Sequence, residues 1–266
     1  MEPETPQKPP VKPPTESGTS WTSESWNNGK VRTIVGDNSD PEDPRFAVRQ
    51  LEDGSLKILG NGVAELNGKG RMYVFKKDAQ SALAKKTEYL WKSNVEVSYD
   101  VRVDKVLSAD KRFINIGGCT NHFTDVNNNS NGRNYSVVGR YDRKGVGLKK
   151  ETVHGAYDEY ETNPMQLEIG TWYNIRYRQT VLEPDKKIKL EGWINDSSIG
   201  EKIDNGTMTK ETDKTDPIVK GGDSGALYYP IKNAKQVWTV GAYSGLYLRF
   251  TGTVKTQIKN LSVKEI

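Results

Sequence analysis

The sequence predicts an all-β fold, an antiparallel β-sandwich, and three observations predict it. Val95, Val97, Tyr99, Val101 and Val103 alternate without a break with Glu96, Ser98, Asp100 and Arg102. Successive side chains of a strand point to opposite faces, so this run is a strand with one core face and one wet face. The same grammar returns over 186–195, where Ile188, Leu190 and Ile194 face inward and Lys189, Glu191 and Trp193 face outward. Turn dipeptides then recur at close spacing: Asp53-Gly54, Asn61-Gly62, Asn67-Gly68, Lys144-Gly145 and Ser244-Gly245. Many short strands separated by such turns, with hardly any helical periodicity between them, define a sandwich or barrel.

Taken in chain order, residues 1–20 stand apart. Pro3, Pro6, Pro9, Pro10, Pro13 and Pro14 interleave with Lys, Glu, Gln and Thr. Such a segment buries too little apolar surface to order itself, so a disordered, semi-rigid spacer is expected; an SH3-type ligand is the competing reading. Residues 21–266 read as one domain. Its strands are expected over 31–35, 46–51, 55–59, 63–66, 71–75, 94–103, 112–118, 134–141, 145–154, 172–181, 186–195, 236–243, 246–250 and 256–265. Residues 77–86 carry strong helix formers but are few, and read as a loop excursion. The Asn-rich stretch 120–133 and the polar stretch 196–224 are expected as surface loops.

The chain has 266 residues and a net charge of +4, with both signs interspersed. Neither a clustered basic patch nor a nucleic-acid motif appears, which argues against nucleic acid as a partner. No stretch has the length of a transmembrane helix, and no apolar signal region follows Met1. The start reads as that of a chain whose targeting segment has been removed. Sequons at Asn128, Asn134, Asn195, Asn205 and Asn260 fit a secreted or cell-surface protein. Cys119 is the only cysteine and reads as a small buried hydrophobe.

The run Trp172-Tyr173-Asn174-Ile175-Arg176-Tyr177-Arg178, a short turn, and then Ile188-Lys189-Leu190-Glu191-Gly192-Trp193-Ile194-Asn195 resembles the paired central strands of concanavalin A-like jelly rolls. The ending Tyr247-Leu248-Arg249-Phe250 with Ile258 to Ile266 resembles their closing strand. The resemblance covers residues 45–266. It implies a β-jelly roll and carbohydrate contact of the kind found in laminin-G-like, polysaccharide-lyase and sugar-binding modules, without fixing an activity.

On these grounds the leading expectation is a monomeric, extracellular domain that recognises a polysaccharide through the concave face of one sheet. Trp193, Glu191, Lys189, Arg176, Arg178, Glu96, Asp100 and Arg102 (with Ser98) are its candidate carbohydrate-binding residues, since flat rings stack on sugars and charged groups bind hydroxyls and carboxylates. Trp172 and several tyrosines read as core. The alternative is a polysaccharide lyase acting on uronate polymers. It needs a cation to neutralise the carboxylate and a Tyr, His or Lys to remove the adjacent proton. Arg140, His154 and Tyr157 supply those types, although the Arg-x-Glu-Leu-Arg and Gln-x-His signatures of alginate lyases are absent.

Other motifs carry less. Gly222-Asp223-Ser224-Gly225 copies the nucleophile region of trypsin-like proteases, a remote alternative. Only His122 and His154 are available as bases, neither in that family's setting, and Ala226 replaces its second glycine. Gly68-Lys69 lacks the spacing and the following Ser or Thr of a phosphate-binding loop. A glycosidase would need two carboxylates about 5–5.5 Å apart, and no strand offers that pattern beyond Glu96 and Asp100. Asp37, Asp40 and Asp43 supply hard oxygens in one loop and are the candidate ligands for a structural calcium. No cofactor is required by any of these readings.

Overall fold

The computed structural model describes residues 19–36, 38–49, 51, 55–77, 90–106, 112–120, 134–140, 146–153, 156–163, 165, 167–183, 187–204, 231–232, 238–239, 243–250 and 253–266. In chain order these hold β1 (Ser20–Thr22), a 3-10 turn (Ser23–Asn27), β2 (Arg32–Val35), β3 (Ser39–Asp40), β4 (Asp43–Arg49), β5 (Ser55–Ile58), β6 (Val63–Asn67) and β7 (Gly70–Val74). Next come β8 (Trp91–Lys92), β9 (Val95–Val106), β10 (Arg112–Thr120), β11 (Asn134–Arg140), β12 (Val146–Val153) and β13 (Ala156–Asn163). The remainder are β14 (Tyr173–Glu183), β15 (Lys187–Ile194), β16 (Ser197–Asp204), β17 (Ile231–Lys232), β18 (Trp238–Thr239), β19 (Tyr243–Phe250) and β20 (Thr253–Glu265).

The strands form two large antiparallel sheets. The first runs β16-β15-β14-β9-β20-β6-β5-β2, with β1 on β20; the second runs β13-β12-β11-β10-β19-β7-β4-β3, with β8 on β19. Consecutive strands repeatedly change sheet, as at β6 to β7, β9 to β10, β13 to β14 and β19 to β20. That crossing pattern makes the sandwich a jelly roll. The alternation read from Val95 to Val103 is the reason: each of the five apolar residues is buried, while the intervening polar residues are half-exposed. Their partners Ile175, Tyr177, Ile188, Leu190, Ile258 and Val263 share the same core with Met72, Val137, Leu148 and Leu248 from the second sheet.

Close approach of the sheets requires Gly192. A Cβ there would lie 2.7 Å from Cδ1 and 2.8 Å from Cγ1 of Ile199, and 3.2 Å from Cγ2 of Val137. At the chain's start, Trp21 stacks on Phe46 and meets Trp26 edge-on. A second interior anchor is ionic: Arg32 donates from Nε and Nη2 to Asp40, both at 2.6 Å, with the Asp40 side chain fully buried. Between the sheets, Lys150 Nζ donates to Asp204 at 2.7 Å, and the Tyr135 hydroxyl donates to the same carboxylate.

Two expectations need correction. Residues 197–204, expected within a loop, form edge strand β16, reached through a turn in which Asn195 and Asp196 adopt φ of 47° and 62°. An edge strand buries one row at most, and here only Ile199 is buried, so the apolar alternation is nearly invisible. The strand β13 was likewise not expected, because Ala156–Asn163 is mostly polar. Ser20, counted with the leader, pairs with Lys264 in β1. Residues 1–18, the stretch 78–86, the 120–133 loop apart from Thr120, and the Gly222–Gly225 motif lie outside the described residues.

Candidate functional site

The strand faces that sequence alternation assigns separately coincide in space. β14 pairs with β9 so that Arg176 opposes Ser98, Arg178 opposes Glu96 and Asn174 opposes Asp100. On its other side β14 sets Arg176 against Trp193 and Arg178 against Glu191. β20 continues the rows, with Lys259 across from Asp100 and Gln257 across from Arg102. Directly paired residues share a face, so all eight candidate carbohydrate-binding residues lie on the outward face of the first sheet.

Most of these groups are already paired. Arg178 donates from Nε and Nη2 to Glu96 Oε2, at 2.8 and 2.5 Å. Arg102 binds Asp104 at 2.7 Å. Asp100 accepts from Asn174 at 2.9 Å and from Asn260 at 2.7 Å. Lys189 reaches Glu191 at 3.0 Å and Glu201 at 2.9 Å, and its hydrogen bonds to Glu201 and Glu191 hold the ammonium above the usual lysine range. Farther along the face, burial works to raise the Glu65 carboxyl, but hydrogen bonds from Gln257 and Lys255 and the charges of Lys255 and Lys57 outweigh it and lower it.

Two cations differ. The Arg176 guanidinium lies 4.2 Å from the Trp193 ring centroid, and its buried Nε has no hydrogen-bond partner among the described residues. Lys259 Nζ lies 4.5 Å from the Trp172 ring centroid. Among the described residues neither makes an ion pair. Trp193 is therefore not a bare stacking platform, because a guanidinium occupies one side of its ring, with Arg178 at 5.5 Å as well. Trp172, expected in the core, is half-buried beneath Arg102 and Lys259 at this face. The sequence reading missed Lys259 and Asn174; alternation through Lys255, Gln257 and Lys259 in β20 was the available signal.

The other candidates fare differently. Arg140 is the last residue of β11 and Tyr157 the second of β13, strands separated by β12 in the second sheet. His154 lies outside the described residues. So does Asp37, while Asp40 is taken by Arg32 and Asp43 accepts from Trp21 Nε1 at 2.8 Å and faces Arg45 at 3.5 Å. A guanidinium inserted where a dication would sit opposes calcium binding by Asp40. Among the described residues no group of three His, Cys, Asp or Glu converges as a metal site. No helix among them is long and apolar enough to cross a membrane.

No family model matches this chain, and no curated protein does. Solved structures do. The carbohydrate recognition domain of Emp46p is 11% identical, with TM-score 0.47, covering 90% of this chain and 98% of that one. The alginate lyase Aly36B, solved with an alginate trisaccharide, is 11% identical with TM-score 0.45, covering 93% and 98%. A carbohydrate-binding module from Bacillus subtilis is 8% identical with TM-score 0.44, covering 87% and 99%. The fold class is an antiparallel jelly-roll β-sandwich, and the strand order above carries that assignment. At these scores the neighbours carry no argument about activity.

Proposed function

We propose that the domain recognises an acidic polysaccharide outside the cell, through the outward face of the first sheet. The observation that supports this reading is Arg176: a guanidinium seated on an indole, with a buried Nε that no group among the described residues satisfies. Stacking fixes the fork in place, so little rotamer entropy remains to be lost when a carboxylate binds it. Lys259 on Trp172 repeats the arrangement nearer β20. The ion pairs between them hold the rest of the face and leave these two cations for a ligand's carboxylates, with the ring edges of Trp172 and Trp193 against the sugar.

A titration of oligouronates against neutral oligosaccharides of equal length tests the reading. Binding of the uronates should weaken steeply with added salt, because exposed charges are screened over about 8 Å at physiological ionic strength. Arg176→Ala and Trp193→Ala should each reduce it. Preference for the neutral chain, or affinity flat in salt, would refute the acidic assignment.

The second reading, a lyase on uronate polymers, would have to work through Tyr157 and His154 without Arg140, because the register sets Tyr157 level with Asn134, at the end of β11 opposite Arg140. Such an enzyme leaves an unsaturated product with ultraviolet absorbance, and a binding module leaves none. Tyr157→Phe and His154→Ala should abolish that signal at nearly unchanged affinity, since proton transfer contributes about 10²–10⁴-fold to rate.

A further inference from the structure

On the outward face of the first sheet a negative group stands between the two stacked cations. Arg176 opposes Ser98 across β14 and β9, and Lys259 opposes Asp100 across β20 and β9. Strand β9 therefore runs between the two cations, with Ser98 and Asp100 on its outward side. The Asp100 carboxylate accepts from two amides, Asn174 at 2.9 Å and Asn260 at 2.7 Å, and among the described residues no cation pairs with it. Lys259 faces it in register, but the ammonium lies over Trp172 instead, 4.5 Å from the ring centroid. Glu96, two residues away on the same strand, is by contrast held by Arg178. Arg176, Ser98, Asp100 and Lys259 are all half-exposed and Asn260 is exposed, so solvent reaches the whole line.

Two strand spacings of about 4.8 Å and two residue steps of about 3.4 Å put the Cα atoms of Arg176 and Lys259 about 12 Å apart. That span exceeds one pyranose ring, so two carboxylates held by the two cations belong to sugars that are not neighbours. The sugar between them lies over Ser98 and Asp100. A carboxylate on that sugar would meet the Asp100 charge, which no cation offsets, and like charges set together at an interface reject the partner that brings them. A neutral sugar is received differently. Each Asp100 oxygen already takes one amide and can accept a hydroxyl proton as well, since an ionised carboxylate offers about four acceptor positions. Ser98 Oγ accepts from Asn174 Nδ2 at 3.3 Å and keeps its own proton to donate to a sugar oxygen.

Building on the reading of Arg176 and Lys259 as the ligand's cations, we infer that the chain bound here alternates acidic with neutral sugars. Asp100 is the residue that turns away a continuous polyuronate or a heavily sulfated chain. Arg176 takes the carboxylate of one acidic sugar through its fork, and Lys259 takes that of the next acidic sugar as a point charge. The neutral sugar between them gives hydroxyl protons to Asp100. Stacking on Trp193 and Trp172 keeps the two cationic heads apart, so the chain has to match their spacing.

The test is calorimetric titration of the whole chain with a hexamer alternating glucuronate and N-acetylglucosamine, a hexamer of mannuronate throughout, and cellohexaose. The alternating hexamer should bind about tenfold or more tighter than the mannuronate one, although it carries half the carboxylates. Arg176→Met and Lys259→Met remove a charge and keep the stem, and each should weaken the alternating hexamer by about tenfold. Asp100→Asn removes the rejecting charge and keeps the shape; it should strengthen mannuronate binding and bring the two acidic hexamers within about twofold. Should Asp100→Asn fail to fold, as judged by thermal unfolding, the ranking of the three hexamers on the native chain decides. Mannuronate bound as tightly as the alternating hexamer, with Arg176→Met weakening both, overturns the alternation and leaves the acidic reading standing. A preference unchanged in folded Asp100→Asn overturns the inference as well. Preference for cellohexaose, or no binding by either acidic hexamer, overturns both the inference and the reading beneath it.

Discussion

Replacing Arg32 with methionine tests the ionic anchor directly. Asp40 has no exposure, and Arg32 supplies two hydrogen bonds at 2.6 Å; the Glu42 amide supplies one more at 3.0 Å. Arg32 also donates from Nη2 to the carbonyl oxygen of Ser25 and from Nη1 to that of Lys30, tying the 3-10 turn to β2. Arg32→Met keeps the stem but leaves a buried carboxylate with a single amide. Removing one partner of a buried pair costs about 3–5 kcal/mol. With a urea m-value of about 3 kcal/mol/M, the midpoint should fall by roughly 1–1.7 M. Adding Asp40→Asn removes the stranded charge and preserves an acceptor for Glu42. The double variant should recover at least about 1 kcal/mol over Arg32→Met, within the usual coupling range for contacting residues. Equilibrium urea unfolding followed by tryptophan fluorescence is the assay. A single-variant loss under about 1 kcal/mol, or a double variant no more stable than the single, would refute the assignment of Asp40 as an Arg32-dependent buried charge.

Three further outcomes are expected. Gly192→Ala should destabilise by about 1–3 kcal/mol through overpacking against Ile199, and Ile199→Val in the same chain should return part of it in thermal unfolding. Trp91→Phe should cost about 1–3 kcal/mol, because the Trp91 Nε1 bond to the buried Val74 carbonyl at 2.8 Å is lost and the carbonyl is left unpaired. Glu65 has a lowered folded pKa, so its contribution is present above the ordinary value of 4.5 and is lost as pH falls through the folded value. Glu65→Gln should therefore lie below native at neutral pH by under about 1 kcal/mol, and the gap should close in acid; a gap that widens below pH 4.5 would contradict the pairing.

What the residues disclosed and what they hid follow from the reach of each interaction. The Val95–Val103 alternation is a local signal, and the structure places each of its residues on the side expected. That the outward sides of β9 and β14 form one surface depends on pairing between residues 74 to 82 positions apart, from Asn174 with Asp100 to Arg178 with Glu96, which no local pattern encodes. Edge strands β13 and β16 escaped because one row of contacts suffices there. Trp172 was misread because a large ring at a strand's start fits core and surface equally well until Lys259 and Arg102 are seen above it. On the second sheet Arg71 and Lys149 occupy what alternation marks as wet positions, and their burial is visible only in three dimensions.

The seam between β1 and β20 bears on how the domain answers force. Ser20, Trp21 and Thr22 pair antiparallel with Lys264, Val263 and Ser262, and the Glu265 amide donates to the Thr19 carbonyl. Residues 19 and 265 therefore leave the seam from the same end. Tension drawn through them peels β1 from β20 one rung at a time, as a zipper opens, instead of loading all the rungs in parallel as shear does. A domain pulled this way yields its first strand at low load, while the ten registered partners between β20 and β9 hold behind it.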